Sequence, residues 1–267
     1  MLKDITLGQY FPGDTIVHRL DARSKLMLVI LYIVCIFVAN SFLSYGLALL
    51  AISCCVALSK IHPRMLLRGL KPLVFIMVFT GIMNMFYTPG EPLVTFWILT
   101  ITREGVRNGV FMLLRIMMLV SGTFLLTYTT SPIAITDAME FLMTPLKPFR
   151  VPVHELAMMM SIALRFIPTL IEETDKIMSA QKARGADFET GTIKERAQAL
   201  LPLLVPLFVS AFRRADELAT AMECRCYHGG EGRTRMKQLR FHARDAVAML
   251  FGIALFSGLI LLRVNGL

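Results

Sequence analysis

The first half of the chain alternates long apolar runs with short polar breaks. Apolar runs cover residues 26–39, 42–58, 70–87 and 109–128, and a last one covers 246–262. A helix rises about 1.5 Å per residue, so about 20 mostly apolar residues cross a hydrocarbon core of ~30 Å. The pattern predicts five transmembrane helices. Only Asn40 and Ser41 separate the first two, which read as a tight hairpin. Both runs are short, so their ends must be padded or the bilayer locally thinned.

Residues 129–242 follow another pattern, with charged and apolar residues mixed at helical spacing. Ser131-Pro132 opens the region, and Pro145, Pro148 and Pro152 punctuate it. A helix is expected over 154–184, kinked at Pro168, then a polar loop over 185–192. A second helical stretch over 193–227 contains Pro202 and Pro206, which predicts two helices, closed by Gly229-Gly230. Segments 156–171 and 200–212 are apolar, but Arg165 and Pro168 interrupt the first and two prolines the second. They read as amphipathic or protein-buried helices, with membrane entry left open. The chain thus divides into 1–128 (an N-terminal segment and four spans), 129–242 (a cytoplasmic region) and 243–267 (a last span). The fold class is an all-α integral membrane protein.

Composition agrees. Hydrophobic residues make up 55% and charged residues 18%, against about 45–50% and about 25% in soluble domains. The net charge of +9 does not point to nucleic acid, because the basic residues sit mostly beside apolar runs. Lys and Arg concentrate on the cytoplasmic side of membrane proteins. Arg19, Arg23 and Lys25 precede the first span, and Lys60, Arg64, Arg68 and Lys71 separate the second from the third. The N-terminus and the 129–242 region are therefore expected in the cytoplasm and the C-terminus outside. Arg103 and Arg107 fall outside in this scheme, partly offset by Glu91 and Glu104. The first ~20 residues read as polar, so no signal peptide is expected there.

The chain has no G-x-x-x-x-G-K-[ST] loop for nucleotide phosphates, no H-E-x-x-H and no G-x-S-x-G. The spans hold almost no carboxylates for a proton relay or cation site. These absences disfavour an enzyme and a secondary transporter. Among five cysteines, Cys35, Cys54 and Cys55 lie in apolar runs, and Cys224-x-Cys226 has no second pair for zinc.

Two short motifs stand out. Ala183-Arg184-Gly185 closes the first helical stretch of the 129–242 region, and Cys224-Arg225-Cys226 closes the second. Small neighbours let a partner approach the backbone, and arginine offers a rigid donor fork to a carboxylate. The plainer reading is that each arginine favours a helix C-terminus through the macrodipole. Arg115, inside the fourth span, is a functional candidate, or else a snorkelling or carbonyl-bonded arginine near the span's outer end. His154, Glu155 and Arg165 are expected to pair structurally. Gly252 and Gly258 lack G-x-x-x-G spacing. Met117-Met118 and Met158-Met159-Met160 read as core filler or as an adaptable binding surface.

Several stretches together resemble a known family. They are Tyr10-Phe11-Pro12-Gly13-Asp14, His18-Arg19-Leu20-Asp21-Ala22-Arg23-Ser24-Lys25-Leu26, Thr129-Thr130-Ser131-Pro132 and Leu164-Arg165-Phe166-Ile167-Pro168. Gln181-Lys182-Ala183-Arg184-Gly185 and Arg213-Arg214-Ala215-Asp216-Glu217-Leu218 are the most telling. In order and spacing the chain resembles the transmembrane T component of energy-coupling factor (ECF) transporters over nearly its whole length. Ala22 and Cys224 depart from the pattern, where the family often has proline and alanine.

The resemblance implies a non-catalytic subunit in a bacterial or archaeal cell membrane. Its expected partners are two ABC-type ATPases, identical or different, and a membrane-embedded S component that selects a vitamin or other micronutrient. The chain itself would hold no cofactor, ATP and Mg being bound by the ATPases. Arg184 and Arg225, with their small neighbours, would lie on coupling helices seated in ATPase grooves. Closure of the ATPases would move those helices, and the S component would topple to release its cargo. The alternative is a conventional ABC importer permease forming the substrate path itself.

Overall fold

The computed structural model describes residues 10–90, 92–96, 99–186, 188, 192–230 and 240–265. The elements run α1 (Ala22–Val38), α2 (Phe42–Ser59), α3 (Pro63–Leu70), α4 (Val74–Tyr87), β1 (Pro92–Phe96), β2 (Leu99–Thr102), α5 (Arg103–Thr129), α6 (Pro132–Met143), α7 (Val153–Ala183), α8 (Ile193–Glu223) and α9 (Ala243–Val264). The protein is an all-α membrane protein. Its strands form one short antiparallel hairpin, Pro92 opposite Thr102 and Phe96 opposite Leu99, in a loop where no strand was expected. Residues 10–138 with 240–265 form one compact unit, and 139–230 form another.

Among the described residues, six helical segments are long and apolar enough to cross a membrane. They are Phe42–Ser59, Pro63–Tyr87, Arg103–Thr129, Val153–Ala183, Gln198–Glu223 and Ala243–Val264. The expected first span is α1, which at 17 residues is shorter than any of these. The third span is longer than its apolar run, because α3 leads through one 3₁₀ turn at Lys71–Leu73 straight into α4.

Polar contacts at the helix ends fix the arrangement of the first unit. Asp21 caps α1 by accepting the Arg23 N–H at 2.9 Å, and its own N–H donates to Asp245 Oδ1 of α9 at 2.8 Å. The buried Lys25 ammonium donates to the carbonyls of Thr129 (2.8 Å) and His18 (3.1 Å). The Phe11 N–H donates to the Tyr128 carbonyl at 3.0 Å, tying the N-terminal segment to the end of α5. The starts of α1 and α9 and the end of α5 therefore share one face. Fourteen residues on, Ala39 meets Arg115 of α5, so α1 runs antiparallel to the last half of α5 for about 21 Å. The first turns of α5 project past the α1–α2 turn.

There α5 packs on α4 through glycine. A Cβ on Gly109 would stand 3.0 Å from the Gly81 carbonyl oxygen, and one on Gly105 2.6 Å from that of Met85. Side chains absent at these points let the backbones touch, the usual device where lipid supplies no hydrophobic drive. The core of this unit is Cys35, Ile36, Ala48, Phe111, Met118 and Leu259, with the Tyr45 ring stacked on Phe111 at 4.9 Å. Met118 is thus core filler, whereas Met159 and Met160 of α7 are exposed. Of the two α9 glycines, Gly252 faces Leu28 and Leu31 of α1, and Gly258 has only Leu47 at 4.0 Å.

The second unit is built on α7 and α8, 31 residues each. α7 runs unbroken through Pro168. α8 is one helix, not two, and continues through Pro202 and Pro206. The prolines stand four apart, so the carbonyl that Pro206 fails to reach is that of Pro202. Both lost bonds fall on one stretch while the turns around it stay paired. A Thr192–Glu195 capping box starts α8. His154 pairs with Glu140 at 3.2 Å and not with Glu155.

Candidate functional site

Arg184 and Arg225 occupy equivalent backbone positions. At the end of α7 the Gly185 N–H donates to the Lys182 carbonyl (3.0 Å) and the Ala186 N–H to that of Gln181 (3.0 Å). At the end of α8 the Cys226 N–H donates to the Glu223 carbonyl (2.8 Å) and the Tyr227 N–H to that of Met222 (3.1 Å). Each pair is a Schellman closure, a 6→1 bond enclosing a 5→2 bond. In both, arginine is the last residue before the chain turns left-handed, at Gly185 (φ 88°) and Cys226 (φ 55°). Helix α8 therefore ends before Gly229-Gly230, on a residue with a side chain.

Both arginines and their small neighbours are exposed. The closures satisfy carbonyls that would otherwise compete for the guanidinium, so each arginine is free to point away from its own helix end. A carboxylate-lined groove could accept two donors from each fork. The C-terminal dipole stabilises both cations as well. The macrodipole reading and the docking reading are thus compatible.

Arg115 is engaged by its own chain. Its Nε donates to the Tyr45 hydroxyl at 3.0 Å and its Nη2 to the Ala39 carbonyl at 3.5 Å. Its guanidinium also lies over the Phe37 and Tyr45 rings. This clamps the α1–α2 turn to α5. Cys224 and Cys226 are exposed free thiols.

Sequence reasoning missed three features. Glu173 of α7 accepts from Arg214 Nη2 of α8 at 2.8 Å, and Arg214 lies in a stretch noted only for its resemblance. Gly105-x-x-x-Gly109 was legible as a motif. A cavity of about 420 Å³ opens among α1, α2, α5 and α9, walled by Leu28, Tyr32, Ile52, Leu125, Phe251 and Leu255. Its walls are almost wholly apolar, and Lys25 at one end is spent on two carbonyls.

Comparison with known proteins places the chain. Residues 13–236 match the CbiQ family, described as cobalt transport protein. The chain belongs to the CbiQ family. Relatives from several bacteria carry the name energy-coupling factor transporter transmembrane protein EcfT. The protein from Acidaminococcus fermentans is 54% identical over 263 residues, 98% of each chain. That from Ruminiclostridium cellulolyticum is 51% identical over 263 residues, again 98% of each. The Bacillus subtilis protein is 47% identical over 264 residues, 98% of this chain and 100% of its own. As a CbiQ-family member at this level of identity, the chain is the transmembrane coupling subunit of an ECF transporter. It is a multi-pass bacterial membrane protein and not a catalytic enzyme.

Proposed function

We propose that this subunit docks two ABC-type ATPases through Arg184 and Arg225 and passes their movement to a membrane-embedded S component carrying a vitamin or other micronutrient. The observation that carries this reading is the equivalence of the two helix ends. One backbone closure presents one exposed arginine between small residues, twice. Two like plugs suit two like grooves. ATP and Mg belong to the partners, in keeping with the missing phosphate loop. The N-terminus and the 129–242 region lie in the cytoplasm, as the Lys and Arg bias indicates, and the C-terminus lies outside.

The apolar cavity supports coupling over a conventional permease. A solute path needs polar groups to replace water around the solute, and these walls supply few.

The test is co-purification in mild detergent. Arg184→Glu with Arg225→Glu should abolish transport and release the ATPases, while the chain still inserts. Either single reversal should be milder, because one plug remains. If active ATPases co-purify with the double variant at the wild-type level, the docking role is lost.

A further inference from the structure

The Glu173–Arg214 contact does not sit where a simple hairpin would put it. The linker between α7 and α8 spans 184–192 and centres on residue 188. In a flush antiparallel hairpin the residue level with Glu173 would be Leu203. Arg214 lies eleven positions further on. That shift leaves Arg184 eleven residues beyond Glu173 on α7, and Arg225 eleven beyond Arg214 on α8. Each arginine thus stands about 16 Å along its own helix from one shared contact. Eleven residues are close to three turns, so each arginine returns near the face of its pinned residue.

Among the described residues, few buried side chains fix the register of α7 and α8: Val153, Ala157 and Leu203 are buried, while Phe208 and Phe212 are exposed. The ion pair is directional and short, with Glu173 22% and Arg214 35% exposed at the side chain. The Ser210 hydroxyl lies 3.5 Å from Arg214 Nε and helps orient the guanidinium.

We infer that the Glu173–Arg214 pair is a positioning pin that sets the separation and relative facing of the two arginine-capped ends. It rests on the docking reading of Arg184 and Arg225, and adds that the two ends form one lever with equal arms. A push on one plug then turns the other about the pin. Neither residue touches an ATPase in this scheme.

The experiment is a distance measurement on the full chain in nanodiscs. Spin labels go at the exposed Ala180 and Ala221, each changed to Cys, with the five native cysteines replaced. The wild-type pin should give one narrow distance. Glu173→Gln and Arg214→Gln should each lose it, and Glu173→Arg with Arg214→Glu should restore it. In the unlabelled complex, Glu173→Gln should still co-purify with the ATPases yet lose most transport, and the charge swap should recover it. A narrow distance surviving in Glu173→Gln, or a swap that restores neither readout, overturns the pin. The distance needs no ATPase, so it judges the pin even if the double arginine reversal defeats the docking reading.

Discussion

At the scale of single residues, the third position of each small-Arg-small motif is a backbone requirement. The left-handed conformation costs a residue with a Cβ roughly 1–2 kcal/mol and glycine almost nothing. Nothing lies within 4 Å of a Cβ added at Gly185, so Gly185→Ala is a purely conformational change. It should speed amide exchange at 185 and 186, whose N–H groups close the helix. Cys226→Gly should slow exchange at 226 and 227. Equal exchange in both pairs would mean that the closures are not strained as the φ values indicate. The motif was legible in the sequence as small-Arg-small. Its backbone was not, because Cys226 gives no sign of a left-handed turn and Gly229-Gly230 offered a false one. His18 makes a second prediction at this scale. Its Nδ1 lies 2.6 Å from the Thr15 hydroxyl and its buried Nε2 has no hydrogen-bond partner. Burial, and then the Lys25 charge, hold its pKa below 6.5. The folded segment therefore prefers neutral imidazole. Its contribution to stability is complete above pH 6.5 and is lost as pH falls from 6.5 through the folded value. Proteolysis within 10–21 should quicken on acidification below pH 6.5, and His18→Gln should flatten that dependence.

At the scale of elements, the contact between α4 and α5 rests on missing side chains. A Cβ on Gly105 would meet the Met85 carbonyl oxygen, which belongs to helix backbone and cannot swing aside. Gly105→Ala should therefore push the helices apart, at about 1–3 kcal/mol, the usual cost of overpacking. Gly258→Ala is the control, with no atom nearer than 4.0 Å. Thermal unfolding in detergent should separate the two, and a Gly105→Ala protein as stable as Gly258→Ala would refute the contact. The helices themselves were readable because apolar run length is set by membrane thickness. Helix partners were not readable, since G-x-x-x-G at 105–109 marks a close approach without naming Gly81 opposite it. The prolines of α8 misled for a related reason. Proline weakens a helix locally, but whether the chain breaks there depends on the turns on either side.

At the scale of the whole molecule, the Lys25–Thr129 and Asp21–Asp245 bonds impose a parity rule. The end of α5 and the start of α9 lie on one face of the first unit. The chain between them must leave and return on that face, so it crosses the membrane an even number of times. Both α7 and α8 are long and apolar enough to cross, so zero and two are the available answers. Two crossings would carry Glu172, Glu173, Asp175 and Lys176 through the bilayer or to its far side, together with the linker. They would also put the end of α7 and the end of α8 on opposite faces, separating Arg184 from Arg225. Zero crossings would keep both motifs on the face where α1 begins, which is the cytoplasmic face in the proposed topology, with Arg19 before α1 and Arg23 in its first turn. A membrane-impermeant maleimide distinguishes the two. Cysteines at Ala186 and at the native Cys224 should both react only from the cytoplasmic side of oriented vesicles, and Tyr87→Cys only from the outside. If Ala186→Cys reacts from outside while Cys224 reacts from within, α7 and α8 each span. No pair of ATPases on one face could then hold both arginines, and coupling would have to run through a single plug.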